Sequence, residues 1–133
     1  AMGSGGLVLS DQPGIIHRWS VSREWIEKNV RGYTSISNLC IVTGFGPSMI
    51  GMFNPGDPLI VDRGYKTCDV DAPYFFRIGD HGFIKILQRI PRGKSIIIRA
   101  KSKNPDYDPF DIDETMDFEI FGRVLRAWVG SDY

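Results

Sequence analysis

The stretch YFFRIGDHGFIKILQRIPRGKSIIIRA, residues 74 to 100, holds three runs rich in aromatic and β-branched side chains, divided by two turn sequences. Tyr74–Ile78, Phe83–Leu87 and Ser95–Ala100 read as short strands. Gly79-Asp80-His81-Gly82 and Pro91-Arg92-Gly93-Lys94 supply the residues that reverse a chain, so each turn should close a hairpin. The same texture continues outward. Ile36–Thr43 reads as a strand, and so does Leu59–Asp62 after the turn Asn54-Pro55-Gly56-Asp57. Phe118–Val129 reads as a long last strand, bent or bulged at Gly122. Only one helix is expected: Ser22 is placed to cap it, it runs to about Val30, and Gly32 ends it. Val21 and Ile26 occupy the two positions of a hydrophobic staple. Residues 7 to 20, which include Pro13-Gly14, read as a loose lead-in or an ordered arm. The expected class is mostly β: a partly closed barrel or sandwich of short strands with one N-terminal helix.

Composition bounds the function. A chain of 133 residues with 42% hydrophobic content fits a single domain, taken as residues 7–133, with Ala1–Gly6 read as a tag remnant. Sixteen basic residues balance sixteen acidic ones, whereas a domain that grips phosphates shows a basic excess or stripe. Direct binding of DNA by this segment is therefore not expected. No apolar run approaches the roughly 20 residues that cross a bilayer, and residues 1–6 lack the features of a signal peptide. A cytoplasmic protein with no membrane association is the expectation. Cys40 and Cys68 read as free thiols of a reducing compartment. His17 and His81 have no cysteine at ligand spacing, so neither a metal nor a cofactor is expected. The acidic run from Asp106 to Glu119 fails the calcium-loop pattern, because Phe110 occupies a ligand position, and reads as a solvated loop. Trp19 and Trp25 suit anchoring of the helix, and Trp128 suits core or dimer interface.

Two places carry chemistry that packing alone explains poorly. Gly46-Pro47-Ser48-Met49 follows a strand among glycines at 44, 46 and 51. A serine on so bent a backbone can present its hydroxyl while neighbouring N–H groups hold an oxyanion; alone, this is also an ordinary turn sequence. Lys85 lies in Phe83-Ile84-Lys85-Ile86-Leu87, flanked by apolar residues on both faces of a strand. Desolvation disfavours an ammonium, and a neutral amine can take the proton of a serine hydroxyl. The ordinary reading is a lysine snorkelling from the strand or standing on an exposed edge.

Taken in order, the motifs resemble those of the LexA-like self-cleaving repressors. Gly46-Pro47-Ser48-Met49-Ile50-Gly51-Met52-Phe53-Asn54-Pro55-Gly56-Asp57 is similar to the family's serine motif, which leads through Gly-Asp into a strand, here Pro58–Asp62. Gly82-Phe83-Ile84-Lys85-Ile86-Leu87 resembles its lysine strand. Ser102-Lys103-Asn104-Pro105-Asp106-Tyr107-Asp108-Pro109 is similar to a Ser-x-Asn-Pro-x-Tyr-x-Pro segment, and Gly122-Arg123-Val124 to the closing strand.

The resemblance implies the C-terminal regulatory domain of a phage-type repressor, with operator DNA bound through a separate N-terminal helix-turn-helix domain. It implies a homodimer or higher homo-oligomer in the bacterial cytoplasm, at the nucleoid, and induction by a RecA-type recombinase filament in the SOS response or by an antirepressor. Carried over, Ser48 is the nucleophile, Lys85 the general base, and the backbone N–H groups of Ser48 and Met49 the oxyanion donors. Two residues depart from the pattern: Pro47 replaces the usual Asp, and Gly51 stands where the family commonly has Pro. The family cuts itself at Ala-Gly or Cys-Gly, and neither dipeptide occurs in the chain. Three readings stay open: the chain begins beyond the cut, the scissile bond has another sequence, or the domain is a non-cleaving oligomerisation module with a vestigial dyad. A signal-peptidase relative acting in trans is a further alternative, which the lack of a spanning segment opposes.

Overall fold

The computed structural model describes residues 8–9, 16–17, 21–43 and 46–127. Among them lie nine strands, one α-helix and one short 3-10 turn. The strands are β1 (Val8–Leu9), β2 (Ile16–His17), β3 (Leu39–Thr43), β4 (Pro58–Asp62), β5 (Ala72–Ile78), β6 (His81–Arg92), β7 (Ser95–Lys101), β8 (Phe110–Ile112) and β9 (Phe118–Ala127). They form one sheet in the order β2-β3-β4-β9-β5-β6-β7-β8, with β1 added beside β6. Every pairing is antiparallel except that of β1 with β6. The class is mostly β, as expected, but the sheet does not close: β2 and β8 are the two ends of an open ladder.

The two hairpins anticipated from the turns are present, each tighter than its turn sequence suggests. Ile78 pairs with His81 across Gly79-Asp80, and Arg92 pairs with Ser95 across Gly93-Lys94. Gly79 and Gly93 both have positive φ, 57° and 59°, the left-handed backbone that two-residue hairpin loops demand. β6 therefore runs through Pro91, which pairs with Ile96 one step from the hairpin end.

The helix α1 spans Arg23–Asn29, and the Ser22 hydroxyl accepts from the Trp25 N–H at 3.0 Å. Ile26 and Val30 are buried against Ile41 and Ile60, with Val21 packed beside them as the staple predicts. Residues 36–43 differ from expectation in their first half. Ile36–Asn38 is a 3-10 turn, because Asn38 N–H closes on Ser35 O, and the strand starts only at Leu39.

β9 is bulged twice. Phe75 pairs with Gly122 but Phe76 with Ile120, which leaves Phe121 extra, next to the glycine flagged from sequence. Ile60 pairs with Arg126 but Val61 with Val124, which leaves Leu125 extra. A Cβ on Gly122 would lie 2.6 Å from Asp62 O, so the crossing of β4 and β9 requires a glycine there.

Alternation along the strands divides the core. Leu59, Val61, Phe75, Ile84 and Val124 pack with Met49 and Phe53 from the segment after β3. Tyr74, Phe76, Leu87, Ala100, Ile112 and Ile120 form a second cluster with Cys68. The sites expected for Trp19 and Trp128, the remnant 1–6 and the end of the last strand beyond Ala127 lie outside the described residues.

The acidic segment is exposed at every acidic residue but Asp111, as expected of a solvated stretch, yet it is not all loop. It contains β8, where Asp111 stands opposite Arg99 and ion-pairs with it at 2.7 Å and with Arg92 at 3.2 Å. Asp117 and Glu119 both bind Arg77. Among the described residues no three His, Cys, Asp or Glu side chains gather as a metal ion would need.

Candidate active site

Ser48 and Lys85 are both buried, at 2% and 5% exposure, which removes the snorkelling and exposed-edge readings of the lysine. Ser48 sits at the start of a helical turn. Ile50 N–H donates to Pro47 O at 3.2 Å, and Met52 and Phe53 N–H both donate to Met49 O. The N–H groups of Ser48 and Met49 stand ahead of the turn's first internal bond, where a helix leaves its opening donors unused by its own ladder. Met49 and Phe53 anchor the turn in the core while Ile50 and Met52 face outward.

Gly51 has φ of +109°, a conformation that proline, fixed near −65°, cannot take. Its missing Cβ also admits Lys103, whose Cγ would lie 3.1 Å from it. Proline therefore could not stand at residue 51 in this turn, which lies against the segment after β7.

Lys85 occupies the face of β6 that it shares with Phe83 and Leu87, directly across from the fully buried Tyr74. Its Nζ donates to Ser102 Oγ at 2.8 Å. The amine also lies 5.5 Å from the Tyr107 ring centroid and 6.0 Å from that of Phe83, within cation–π range.

Ser48 and Lys85 meet the same short stretch of chain. Ser102, immediately after β7, takes the lysine's hydrogen bond. Two residues on, Asn104 N–H donates to Ser48 O at 2.9 Å, and its side-chain Nδ2 donates to Pro47 O at 2.9 Å. Asn104 also starts a turn: Tyr107 N–H donates to Asn104 O, Asp106 N–H donates to Asn104 Oδ1, and Pro105 fixes the backbone between them. That turn brings the Tyr107 ring over the amine. The Ser-x-Asn-Pro-x-Tyr segment was legible as a motif, but no role for Ser102, Asn104 or Tyr107 follows from sequence. Each acts by meeting a residue far away in the chain.

Cysteine chemistry does not compete. Both thiols are free, and burial pushes each above its ordinary range, so neither is a ready thiolate.

The mostly-β fold and the family match define the class, a LexA-like repressor or peptidase domain. The chain belongs to the Peptidase S24-like family, which it matches over residues 1–125. No curated protein matches it.

Proposed function

We propose that the chain is the regulatory and dimerising domain of a phage-type repressor, which cuts its own polypeptide through a Ser48–Lys85 dyad. The observation that carries this reading is the burial of Lys85, whose amine lies near the Phe83 and Tyr107 rings and donates to the Ser102 hydroxyl. A lysine amine in its neutral form can act as a base towards a serine hydroxyl.

In the proposed step, Lys85 Nζ takes the Ser48 Oγ proton as Oγ bonds to the scissile carbonyl carbon. The carbonyl π electrons move to oxygen, where the N–H groups of Ser48 and Met49 receive them. Collapse breaks the C–N bond, and the lysine ammonium returns the proton to the leaving amine. Water then releases the acyl group from Ser48.

The strand β1 favours a substrate within the same chain. It pairs in parallel with His81 and Gly82, on the strand that carries Lys85 three residues later. β7 covers β6 only from Ile86 onward, so an extended segment of the chain can lie along this part of β6. Operator binding through a helix-turn-helix domain, a homodimeric state, and induction by a recombinase filament or an antirepressor in the bacterial cytoplasm belong to the same reading.

A second reading, a non-cleaving oligomerisation module, is favoured by the 2% exposure of Ser48, since a carbonyl must reach its hydroxyl. Incubation of the full-length protein at alkaline pH, where more lysine is neutral, separates the two. Two fragments should accumulate, and Ser48→Ala or Lys85→Ala should each abolish them. An intact band in every sample, with or without an activated recombinase filament, refutes self-cleavage and leaves the oligomerisation module.

A further inference from the structure

We infer that Ser102 and Asn104 are positioning residues for the dyad, Ser102 fixing the lysine amine and Asn104 fixing the serine turn. This rests on the self-cleavage reading and adds to it a segment that bonds both to the lysine amine and to the serine turn.

The two catalytic side chains come from elements that share no ladder. Ser48 lies on a turn packed against Ile84 and Phe75, on one side of the sheet. Lys85 projects with Phe83 and Leu87 to the other side. Something must tie the two sides together at the edge of β6, and β7 ends its pairing there, at Ile86 with Lys101. The next three residues make the tie. Ser102 Oγ takes an N–H from Lys85 at 2.8 Å, while Asn104 holds Ser48 O and Pro47 O with one backbone and one side-chain donor. Lys103, between them, packs over Gly51, where a Cβ would already crowd it at 3.1 Å.

The chemistry suits the geometry. A lysine side chain has four rotatable bonds, and a neutral amine has one lone pair that must face the serine hydroxyl. An acceptor for one of its N–H bonds restricts the rotation that would turn the lone pair away. Ser102 supplies that acceptor, at 2.8 Å, without adding a charge beside the amine. Asn104 acts on the other partner by fixing the carbonyls of residues 47 and 48, and so the direction in which Ser48 Cβ leaves the turn.

The test compares self-cleavage of the full-length protein carrying Ser102→Ala, Ser102→Thr or no change, at alkaline pH and well below the thermal midpoint of each. Ser102→Ala should slow fragment formation about 10- to 100-fold, the size of effect expected when a general base loses its orientation. Ser102→Thr, which keeps the hydroxyl, should restore the rate to within about threefold of wild type, a rescue that loss of packing alone does not produce. Asn104→Ala should slow the reaction comparably, with Lys85 unchanged. Equal rates for wild type and Ser102→Ala overturn the assignment while self-cleavage stands. So does a threonine variant as slow as alanine at unchanged thermal midpoint. A wild type that never cleaves refutes the underlying reading, and the inference falls with it.

Discussion

Two buried polar groups in this domain are treated in opposite ways. Asp62, at the end of β4, is fully buried and accepts three hydrogen bonds, from Thr34 N–H at 2.6 Å, Thr34 Oγ1 at 2.8 Å and Gly64 N–H at 2.7 Å. Those donors tie the 3-10 turn region and the loop after β4 into one unit, and Asn38 Nδ2 extends the network to Thr34 Oγ1. Lys85 is nearly as buried, yet its neighbours include one neutral hydroxyl and two aromatic rings. The first arrangement satisfies a buried carboxyl group with fixed donors and serves stability. The second places an amine against a hydroxyl and beside two aromatic rings, the setting that the proposed dyad calls for.

The sharpest way to break that contrast is to remove each group in turn. Asp62→Ala removes the buried acceptor of all three hydrogen bonds and should destabilise the domain by about 2–3 kcal/mol. Lys85→Met replaces a buried amine with an apolar chain of similar length, so the midpoint of thermal unfolding should hold or rise. Calorimetry on both variants decides the matter. If Lys85→Met lost as much stability as Asp62→Ala, the lysine would be a structural residue and the contrast would collapse.

A smaller effect is expected at the serine turn. Gly51→Ala forces a side chain into φ of +109° and against Lys103 and should cost about 1–2 kcal/mol in denaturant unfolding. An unchanged midpoint would mean that the turn relaxes and that its packing on the bridging segment is loose.

The smallest effect lies on the surface. Hydrogen bonding from Arg99 holds the Asp111 carboxyl below its ordinary range, with Arg92 adding to the pull. A depressed carboxylate contributes stability that is present above the ordinary carboxylate range and lost as pH falls through the lowered folded value. Asp111→Asn should therefore be slightly less stable than wild type near neutral pH, with the gap closing in acid. Because the pair is exposed, the gap is small and shrinks with salt. A gap that widened in acid would reverse the assigned sign.

How far the sequence reaches follows the same physics. The hairpins at Gly79-Asp80 and Gly93-Lys94 were legible because positive φ is a local demand that glycine meets. The capped helix was legible for the same reason, Ser22 and the Val21–Ile26 staple being neighbours in sequence. β8 was not, since Asp111 disguises a strand that exists because Arg99 faces it across the ladder. β1 and β2 are two-residue strands defined by their partners rather than by any pattern of their own. At the site, Ser48 and Lys85 each announce themselves by a local oddity, a bent turn and a charge in an apolar strand. Ser102 and Asn104 carry no such oddity, and their roles arise only where a segment after β7 meets residues 17 and 56 or 57 positions back in the chain.

Whether Lys85 activates Ser48 can be measured without knowing the scissile bond. A fluorophosphonate transfers its phosphorus to an activated serine oxygen, expelling fluoride as the amine takes the proton, and peptide mass spectrometry locates the adduct. The account predicts a single adduct on Ser48 that forms faster as pH rises and that Lys85→Met suppresses. Labelling at the same rate without the lysine, or no labelling of Ser48 at all, would contradict it.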